Sequence, residues 1–312
     1  MDQLVIGVDL GGTNMRTALV TRAGDIVEKQ KEETRAAEGY RTVIGKLTGS
    51  IARLIGIAKG QGRAVAAVGV GAPGVIHGAT GVVVKSPNFP DWNDLPLKAT
   101  LEAALKIPVV IENDANAAAL GEQWRGAAKG IGSMILLTLG TGVGGGIVLD
   151  GRIWHGADGM AGELGHMTII PDGRACGCGN TGCLEMYASS RGIIMAFGSE
   201  RGSQEPGDIT SEQVYRAARE GNAAAIRAMQ SMGRSLGIGI ANLINIFNPE
   251  MVVIGGGVMD GWDLFIDATR EEVRKRAFAY PAERTRIVPS LLGDDAGMVG
   301  AAAAALQRIG LH

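Results

Sequence analysis

The sequence of 312 residues contains little of what marks secreted, membrane-bound or nucleic-acid-binding proteins. It has only ten prolines and three cysteines, and an odd number of cysteines argues against a secreted disulfide framework. The amino terminus, MDQLVIGVDL, has neither a basic region nor a cleavage site. No stretch stays apolar for the roughly 18 residues of a membrane span. We therefore expect a cytoplasmic protein without a membrane partner.

An excess of one charge is also missing. Lysine and arginine total 30 against 32 aspartate and glutamate residues, so the net charge is -2. Because the two signs are interspersed, no basic patch is available for a nucleic-acid backbone, and we expect no nucleic-acid partner. Hydrophobic residues make up 46% of the chain, which is enough for one large core or for two smaller ones joined at a cleft, and we expect two domains.

Hydrophobic patterning predicts strands that alternate with helices, beginning with an antiparallel meander. The predicted strands are 4–9, 16–20, 26–33, 65–70, 109–111, 134–139, 145–149 and 251–254. The predicted helices are 40–59, 94–106, 114–125, 223–247 and 296–309. Asp94 is expected to cap the second helix, and the turn at Asp150 and Gly151 is expected to close the strand pair 134–149. We predict a small α/β domain at 1–118, completed by the C-terminal helix at 296–312, and a large one at 119–295.

Glycine, in contrast, is abundant: 49 residues are about twice the usual share. A strand that ends in a glycine-rich turn recurs three times, as VDLGGTN, LTLGTGVGGG and VVIGGGV. Such turns bring backbone N–H groups to phosphate oxygens, although they also occur for packing reasons. None matches a P-loop or a dinucleotide-binding GxGxxG turn. In the first turn Asp9 stands beside Thr13 and Asn14, an oxygen set suited to Mg²⁺, unless Asp9 merely ends the strand.

The segment VVIENDANAAA places Asn113 and Asp114 where a strand gives way to a helix, the usual position for ligand contacts in open α/β sheets. A carboxylate at a helix start is favoured in its charged form. Asp114 could therefore accept a proton from a hydroxyl that attacks phosphorus. Asn113 and Asn116 offer amides that suit a polyol. The alternative is that Asp114 only caps the helix.

The segment AGELGHMTIIPDGRACGCGNTGCLE contains every cysteine of the chain. Three thiolates and one imidazole are the ligand set of a closed tetrahedral Zn²⁺ site, and the candidate ligands are His166, Cys176, Cys178 and Cys183. Four protein ligands leave no position for an activated water, so this zinc would be structural. Glu163 and Glu185 bracket the loop and could be aimed at sugar hydroxyls. Incidental reduced thiols and solvated glutamates are the alternatives.

Six motifs in this order resemble the ROK family of sugar kinases: DLGGTN, APG, END, LGTGVGGG, ELGH and CGCGNTGCLE. The resemblance spans nearly the whole chain. It implies the actin-like ATPase fold, a ribonuclease H-like α/β architecture with two domains around a central cleft that holds ATP and Mg²⁺. It also implies a homodimer. Many family members are repressors with a helix-turn-helix domain ahead of this fold; with the first strand at Leu4, we expect none here.

The resemblance also implies roles for individual residues. Those expected around the phosphates and the adenosine are Gly11, Gly12, Thr13, Thr141, Gly142, Gly256 and Gly257. Those expected around the sugar are Gly74, Asn88, Asn113, Asp114, Glu163, His166 and Glu185. His166 would bind zinc through one nitrogen and donate to the sugar from the other. Asn14 departs from the family, because relatives often have a basic residue there.

The expected reaction is ATP-dependent phosphorylation of the 6-hydroxyl of a hexose, with glucose as the first candidate and Asp114 as the base. Fructose, mannose, allose and N-acetylhexosamines are alternative substrates, because they differ from glucose by features that pocket shape decides. Polyphosphate is an alternative donor. From other classes, the alternatives are a sugar-sensing protein without turnover and an actin-like or chaperone ATPase with a protein partner.

Overall fold

The computed structural model describes residues 3–202 and 209–311. Its strands are β1 (Leu4–Leu10), β2 (Asn14–Thr21), β3 (Ile26–Glu33), β4 (Val65–Ala72), β5 (Val75–His77), β6 (Val82–Lys85), β7 (Asn93–Leu95), β8 (Val109–Asn113), β9 (Met134–Leu139), β10 (Val143–Leu149), β11 (Arg152–Ile153), β12 (Met251–Gly255) and β13 (Arg286–Pro289). Its helices are α1 (Tyr40–Gly60), α2 (Leu97–Leu105), α3 (Asp114–Arg125), α4 (Glu185–Ala188), α5 (Ser190–Glu200), α6 (Ser211–Arg219), α7 (Ala223–Phe247), α8 (Trp262–Arg276), α9 (Ala279–Arg284) and α10 (Ala296–Arg308). Among the described helices, none is long and apolar enough to cross a membrane.

The first sheet has the order β3-β2-β1-β4-β8. Strands β1, β2 and β3 form the predicted antiparallel meander, and β4 and β8 continue the sheet in parallel with β1. Side chains alternate between its two faces. Leu4, Ile6 and Val8 belong to a core with α1 and α2, while Val5 packs with residues of α10. Both faces are thus covered by helices, as in an α/β fold.

The second five-stranded sheet has the order β11-β10-β9-β12-β13, and β5, β6 and β7 form a small third sheet. Strand β12 pairs in parallel with β9 and with β13. The prediction for the turn at Asp150 and Gly151 was wrong. This turn joins β10 to β11, with Leu149 opposite Arg152, rather than closing the pair of β9 and β10. A hairpin turn fixes only the strands on either side of it, and the two-residue strand β11 is too short to show a periodic pattern.

Contacts divide the chain into two compact units. The first contains residues 1–132, 146–162 and 291–312, and the second contains residues 133–145 and 163–290. The first unit therefore includes the C-terminal helix α10. The predicted domain boundaries at residues 118/119 and 295/296 stay a prediction.

Most predicted elements agree with the structure to within two residues at each end, but the start of α2 does not. Asp94 lies in β7 with a φ of 49°, and α2 begins at Leu97, with Pro96 at its N-cap position. Pro96 has a φ of -77° and a ψ of 64°, outside the helical region, so the helix begins only after it and has no side-chain cap.

In the first unit, α10 is fastened to α3 by close packing and by one buried carboxylate. A Cβ on Gly121 would collide with the carbonyl of Ala296, and one on Gly300 with that of Ala117, so glycine is needed at this crossing. Glu122 is fully buried. Its oxygens accept hydrogen bonds from the backbone N–H groups of Ala127 at 2.7 Å, Leu291 at 3.2 Å and Leu292 at 2.9 Å. This carboxylate anchors the segment that leads into α10.

Changing Glu122 to Ala is expected to lower the free energy of unfolding by about 3 kcal/mol, because three backbone donors lose a charged acceptor. The midpoint of urea denaturation measures this. Glu102→Ala is the matched control, since Glu102 accepts one backbone hydrogen bond, from Val109 at 3.0 Å. Equal losses in the two variants would contradict the anchoring role of Glu122.

Candidate functional site

The carboxyl ends of three parallel strands in the first unit bring the predicted site residues Asp9, Asn113 and Asp114 to one edge of the sheet. The register pairs Asp9 of β1 with Gly71 of β4, and Gly71 with Glu112 of β8. Because neighbouring strands lie about 4.8 Å apart, the backbones of Asp9 and Glu112 are separated by about 10 Å. Ligands of open α/β sheets bind at this edge. These residues are far apart in the chain, so the sequence did not show that they lie close together in the fold.

The first glycine-rich turn is held in shape by its own backbone. Gly11 donates to the carbonyl of Asn14 at 3.0 Å, and Thr34 fixes the turn through two bonds, from its N–H to Thr13 O and from its hydroxyl to Gly11 O. A Cβ on Gly12 would lie 2.9 Å from Nδ2 of Asn88. The turn that was predicted to bind phosphate therefore adjoins a residue that was predicted to bind sugar.

Asp9, the penultimate residue of β1, lies beside an arginine to which the sequence analysis gave no role. Arg16 lies opposite it in β2, and the guanidinium contacts Asp9 Oδ2 at 3.2 Å and Asp294 Oδ2 at 2.6 Å. Burial raises the pKa of Asp9 above its ordinary value, and Arg16 opposes that rise. A carboxylate in such a place is stabilised in its charged form by additional positive charge.

The N-cap of α3 is Asn113, not Asp114. The side-chain oxygen of Asn113 accepts from the N–H groups of Ala115 at 2.9 Å and Asn116 at 3.2 Å. Asp114 is the first helical residue, and its Oδ1 accepts from the N–H of Ala115 at 2.8 Å. Asparagine is as good a cap as aspartate, and the sequence analysis considered only Asp114 for this position. The carboxylate of Asp114 is thus not needed as the cap.

Two further loops of the first unit carry predicted sugar-binding residues. Asn113 donates from Nδ2 to the carbonyl of Gly74 at 3.2 Å. Gly74 has a φ of 110°, and a Cβ there would collide with the carbonyl of Lys85, so this turn requires glycine. Asn88 is exposed, but the next residues anchor its loop: Phe89 and Trp92 are buried and stacked, with ring centroids 4.3 Å apart.

Asn116, which was suggested as a polyol contact, forms a hydrogen bond within the protein. It is buried, and its Nδ2 donates to Oε1 of Glu112 at 3.1 Å. Oε2 of Glu112 lies 2.8 Å from Nε2 of His155. Neither Glu112 nor His155 was assigned a function from the sequence. The only signal was that Glu112 precedes Asn113 at the end of a strand.

In the second unit, Thr141 and Gly142 form the tight turn between β9 and β10, where Gly140 donates to Gly142 O at 2.9 Å. Glu185 supports this turn: its Oε2 accepts from the N–H of Val143 at 3.0 Å. A Cβ on Gly142 would overlap the same carboxylate oxygen. One oxygen of Glu185, predicted to contact sugar, is therefore engaged with the backbone of the second glycine-rich turn.

The third glycine-rich turn follows β12 in the second unit. Gly256 has a φ of 93°, and a Cβ there would collide with the carbonyl of Leu139. Around Gly257, in contrast, a Cβ would meet open space. The turn therefore packs on the end of β9 through Gly256 and leaves an accessible backbone at Gly257.

The predicted zinc ligands are gathered in the second unit: the ligand atoms of His166, Cys176, Cys178 and Cys183 all lie within 4.8 Å of one another. The sulfurs of Cys178 and Cys183 are 3.7 Å apart, and Nδ1 of His166 is 3.6 Å from Sγ of Cys176. Tetrahedral Zn²⁺ with bonds of about 2.3 Å to sulfur and 2.05 Å to nitrogen requires separations of about 3.8 and 3.5 Å. The cluster fits zinc in the kind of its ligands and in these two separations.

The pKa values of two of the cysteines are shifted from that of an ordinary thiol. Burial and the neighbouring thiols raise the pKa of Cys183 to about 12, while a backbone hydrogen bond at Asn180 lowers the pKa of Cys178. A bound cation reverses such a rise, because it stabilises the thiolates directly. Nε2 of His166 points away from the sulfurs, 4.0 Å from Oε2 of the exposed Glu163. One imidazole thus presents one nitrogen to the cysteines and the other to Glu163.

Known proteins resemble the chain over nearly its whole length. The sequence model of the ROK family matches residues 5–308. A glucokinase of Halalkalibacterium halodurans is 42% identical over 96% of this chain and 94% of its own. The crystal structure of a ROK family glucokinase from Streptomyces griseus, in complex with glucose and AMPPNP, superposes with a TM-score of 0.82 at 35% identity, covering 97% of this chain and 99% of that one.

A third similar structure comes from a different functional class. It is a ROK family transcriptional regulator, described as a homologue of the E. coli MLC protein, with a TM-score of 0.86 and 30% identity. The match covers 97% of this chain and 77% of the regulator. The scaffold is therefore found in a regulator as well as in kinases.

The sheets, the helices that cover them and the structural neighbours define an α/β protein with the actin-like ATPase fold. Within that class, the chain belongs to the ROK family.

Proposed function

We propose that this protein is a sugar kinase that transfers the γ-phosphoryl group of ATP to the 6-hydroxyl of a hexose, with glucose as the preferred substrate. The observation that carries the proposal is the carboxylate of Asp114, which begins α3 at the ligand-binding edge of the first sheet while Asn113 caps the helix. The glucokinase of H. halodurans and the glucose complex from S. griseus support the choice of sugar.

In this mechanism Asp114 accepts the proton of the sugar 6-hydroxyl as that oxygen forms a bond to the γ-phosphorus. The bond from the γ-phosphorus to the oxygen that bridges it to the β-phosphate breaks, and ADP carries away that electron pair. The helix start favours the charged form of Asp114 before the transfer. Asn113 and Gly74 are proposed to orient the sugar together with Asn88, Glu163, His166 and Glu185.

The glycine-rich turns are proposed to bind the nucleotide through backbone N–H groups, which reach phosphate oxygens because no Cβ holds the ligand away. Gly11, Gly12 and Thr13 would meet the phosphates together with Thr141 and Gly142. Gly256 and Gly257 would lie near the adenosine. Of these residues, Gly257 has open space where a side chain would be.

Two metal ions are part of the proposal. Mg²⁺ would offset phosphate charge, and Asp9 is the carboxylate proposed to hold it; extra positive charge also suits a buried carboxylate whose pKa is raised. Zn²⁺ would be held by His166, Cys176, Cys178 and Cys183 and would stabilise the loop that carries Glu163 and Glu185. The zinc ligands would hold the loop, Glu163 and Glu185 would orient the sugar, and Asp114 would accept the proton.

A coupled assay of ADP release with a panel of hexoses tests the proposal. Glucose is expected to give the highest kcat/KM, and mannose, fructose, allose and N-acetylglucosamine lower values, because each changes a hydroxyl that the pocket binds. ATP and polyphosphate are compared as donors in the same experiment, with sugar phosphate measured directly. A different preferred hexose would revise the substrate and leave the kinase assignment intact.

A sugar-responsive regulator without turnover is the second candidate, because a ROK family regulator superposes on 97% of this chain. The panel separates the two candidates. ADP release that depends on a hexose supports the kinase, whereas hexose binding without any ADP release supports the regulator. ATP hydrolysis that no sugar stimulates would point instead to an ATPase with a protein partner.

A further inference from the structure

A carboxylate to which no ligand has been assigned lies beneath the start of α3. Glu112 is the penultimate residue of β8, and its side chain is 12% exposed. Oε1 accepts from the backbone N–H of Asn113 at 3.0 Å and from Nδ2 of Asn116 at 3.1 Å. Oε2 lies 2.8 Å from Nε2 of His155. One side chain thus joins the end of β8, the first turn of α3 and the segment that follows β11.

The bonds from Glu112 fall on either side of Asp114. Asn113 precedes Asp114 and Asn116 follows it by two residues, so both ends of this short stretch are held by the same carboxylate. Asn116 is 1% exposed, and its Oδ1 has no hydrogen-bond partner among the described residues. Without Glu112, the buried amide of Asn116 would lose its acceptor as well, which is costly enough to shift the helix start.

His155 holds Glu112 from outside the helix. The hydrogen bond to Glu112 raises the pKa of His155 above its ordinary value of 6.5, and burial opposes that rise. Both side chains line a cavity of about 1010 Å³ in the first unit, and His155 is 45% exposed, so it exchanges protons with solvent. The other charged or titratable side chains that line this cavity are His77, Asp150, Arg152, Asp158 and Arg308.

We propose that Glu112 and His155 are positioning residues for Asp114: Glu112 fixes the first turn of α3, and His155 fixes Glu112. The inference rests on the proposed kinase function, because it assigns Asp114 to the reacting hydroxyl. A base displaced by 1 Å loses much of its effect on rate while substrate still binds. The pair should therefore control kcat more than the KM for sugar.

Steady-state kinetics of five variants tests this. Glu112→Ala is expected to lower kcat by about 10- to 100-fold, with the KM for sugar changed by less than about threefold. Glu112→Gln should recover most of the loss, because its amide oxygen can accept from both Asn113 and Asn116. His155→Ala should lower kcat in the wild type but have no further effect in the Glu112→Ala background. His77→Gln is the matched control: His77 lines the same cavity and contacts Thr80 rather than Glu112.

The pH profile provides a readout that a purely structural role would not move. The pKa of His155 is raised, so its contribution is fully present below about pH 6.5 and is lost as pH rises through the raised value. The wild type should lose part of its kcat on that alkaline side, and His155→Gln, which cannot titrate, should not. His77→Gln should keep the wild-type profile.

Hydrogen–deuterium exchange separates failure of this inference from failure of the proposed function. If the wild type shows no hexose-dependent ADP release, the kinase proposal is wrong, and faster exchange at residues 114–118 in Glu112→Ala still supports the positioning role. Unchanged exchange there, or a Glu112→Ala enzyme with the kcat of the His77→Gln control, would overturn the inference. A rise in KM that matches the loss in kcat/KM would also overturn it, because it would mean direct contact with substrate.

Discussion

Changing Asp114 to Asn is expected to lower kcat for hexose phosphorylation by about 10²- to 10⁴-fold, the range that general-base help contributes. The amide has the shape of the carboxylate but cannot accept the proton. Its oxygen can still receive the hydrogen bond from Ala115 N that Asp114 Oδ1 receives at 2.8 Å, so the helix start should be kept. Initial rates at saturating sugar and ATP measure the effect.

Binding and stability controls make this result specific. Because Asn113 and not Asp114 caps α3, the melting temperature should stay close to that of the wild type. The affinity for glucose, measured by titration calorimetry, should change by less than about tenfold, since the lost interaction belongs to the transition state. Asp150→Asn, in the exposed turn between β10 and β11, is the control for loss of a carboxylate. An Asp114→Asn enzyme with more than about a tenth of wild-type turnover would remove Asp114 as the base.

The second large effect is expected at the cysteine cluster. Protein purified without added metal should contain about one Zn²⁺ per chain, and Cys183→Ser should lose it together with most of its hexose-dependent turnover. Cys183 is fully buried, with its sulfur 3.7 Å from that of Cys178, so the hydroxyl would be a poor replacement in a site built for thiolates. Elemental analysis, the melting temperature and turnover are measured on the same preparation.

The loop itself offers a matched control for the zinc prediction. Gly177 lies between two of the cysteines, and a Cβ at that position would meet open space. Gly177→Ala should therefore keep zinc, stability and turnover. Wild-type protein with far less than one Zn²⁺ per chain would refute the site, and so would a Cys183→Ser variant that keeps both metal and melting temperature.

The prediction of the fold succeeded where hydrophobic periodicity is strong and the element is long. The bounds of α7 and the start and end of α3 were predicted correctly, and the meander of β1, β2 and β3 was confirmed. Short elements were missed. Strands β5 and β7 have three residues each and β11 has two, which is too few to show a period. Bounds for α8 and α9 were not predicted either.

The residues of the candidate site also fall into two groups: those that short sequence motifs indicate and those that only the fold brings together. Sequence indicated the cluster of His166 with the three cysteines, whose ligand atoms the structure gathers within 4.8 Å, because these residues are close in the chain. The roles of the glycine-rich turns and of Asp114 stay predictions. The sequence did not identify Arg16 beside Asp9 or His155 beside Glu112, since those pairs depend on strand register and on the path of the chain after β11. The homodimer stays a prediction from the family resemblance.

The order of the long strands and helices, the family and the types of groups available for chemistry follow from the amino-acid sequence, because periodicity and short motifs are local properties. Which of those groups come into contact depends on the folded chain. The folded chain makes Asn113 the cap of α3, so the carboxylate of Asp114 is not needed as the cap. It also buries Asn116 beside Glu112 and sets the spacing of the cysteine sulfurs. The physical reason is that a hydrogen bond or a metal site requires atoms within about 3 to 4 Å, and only the packed backbone fixes distances that small.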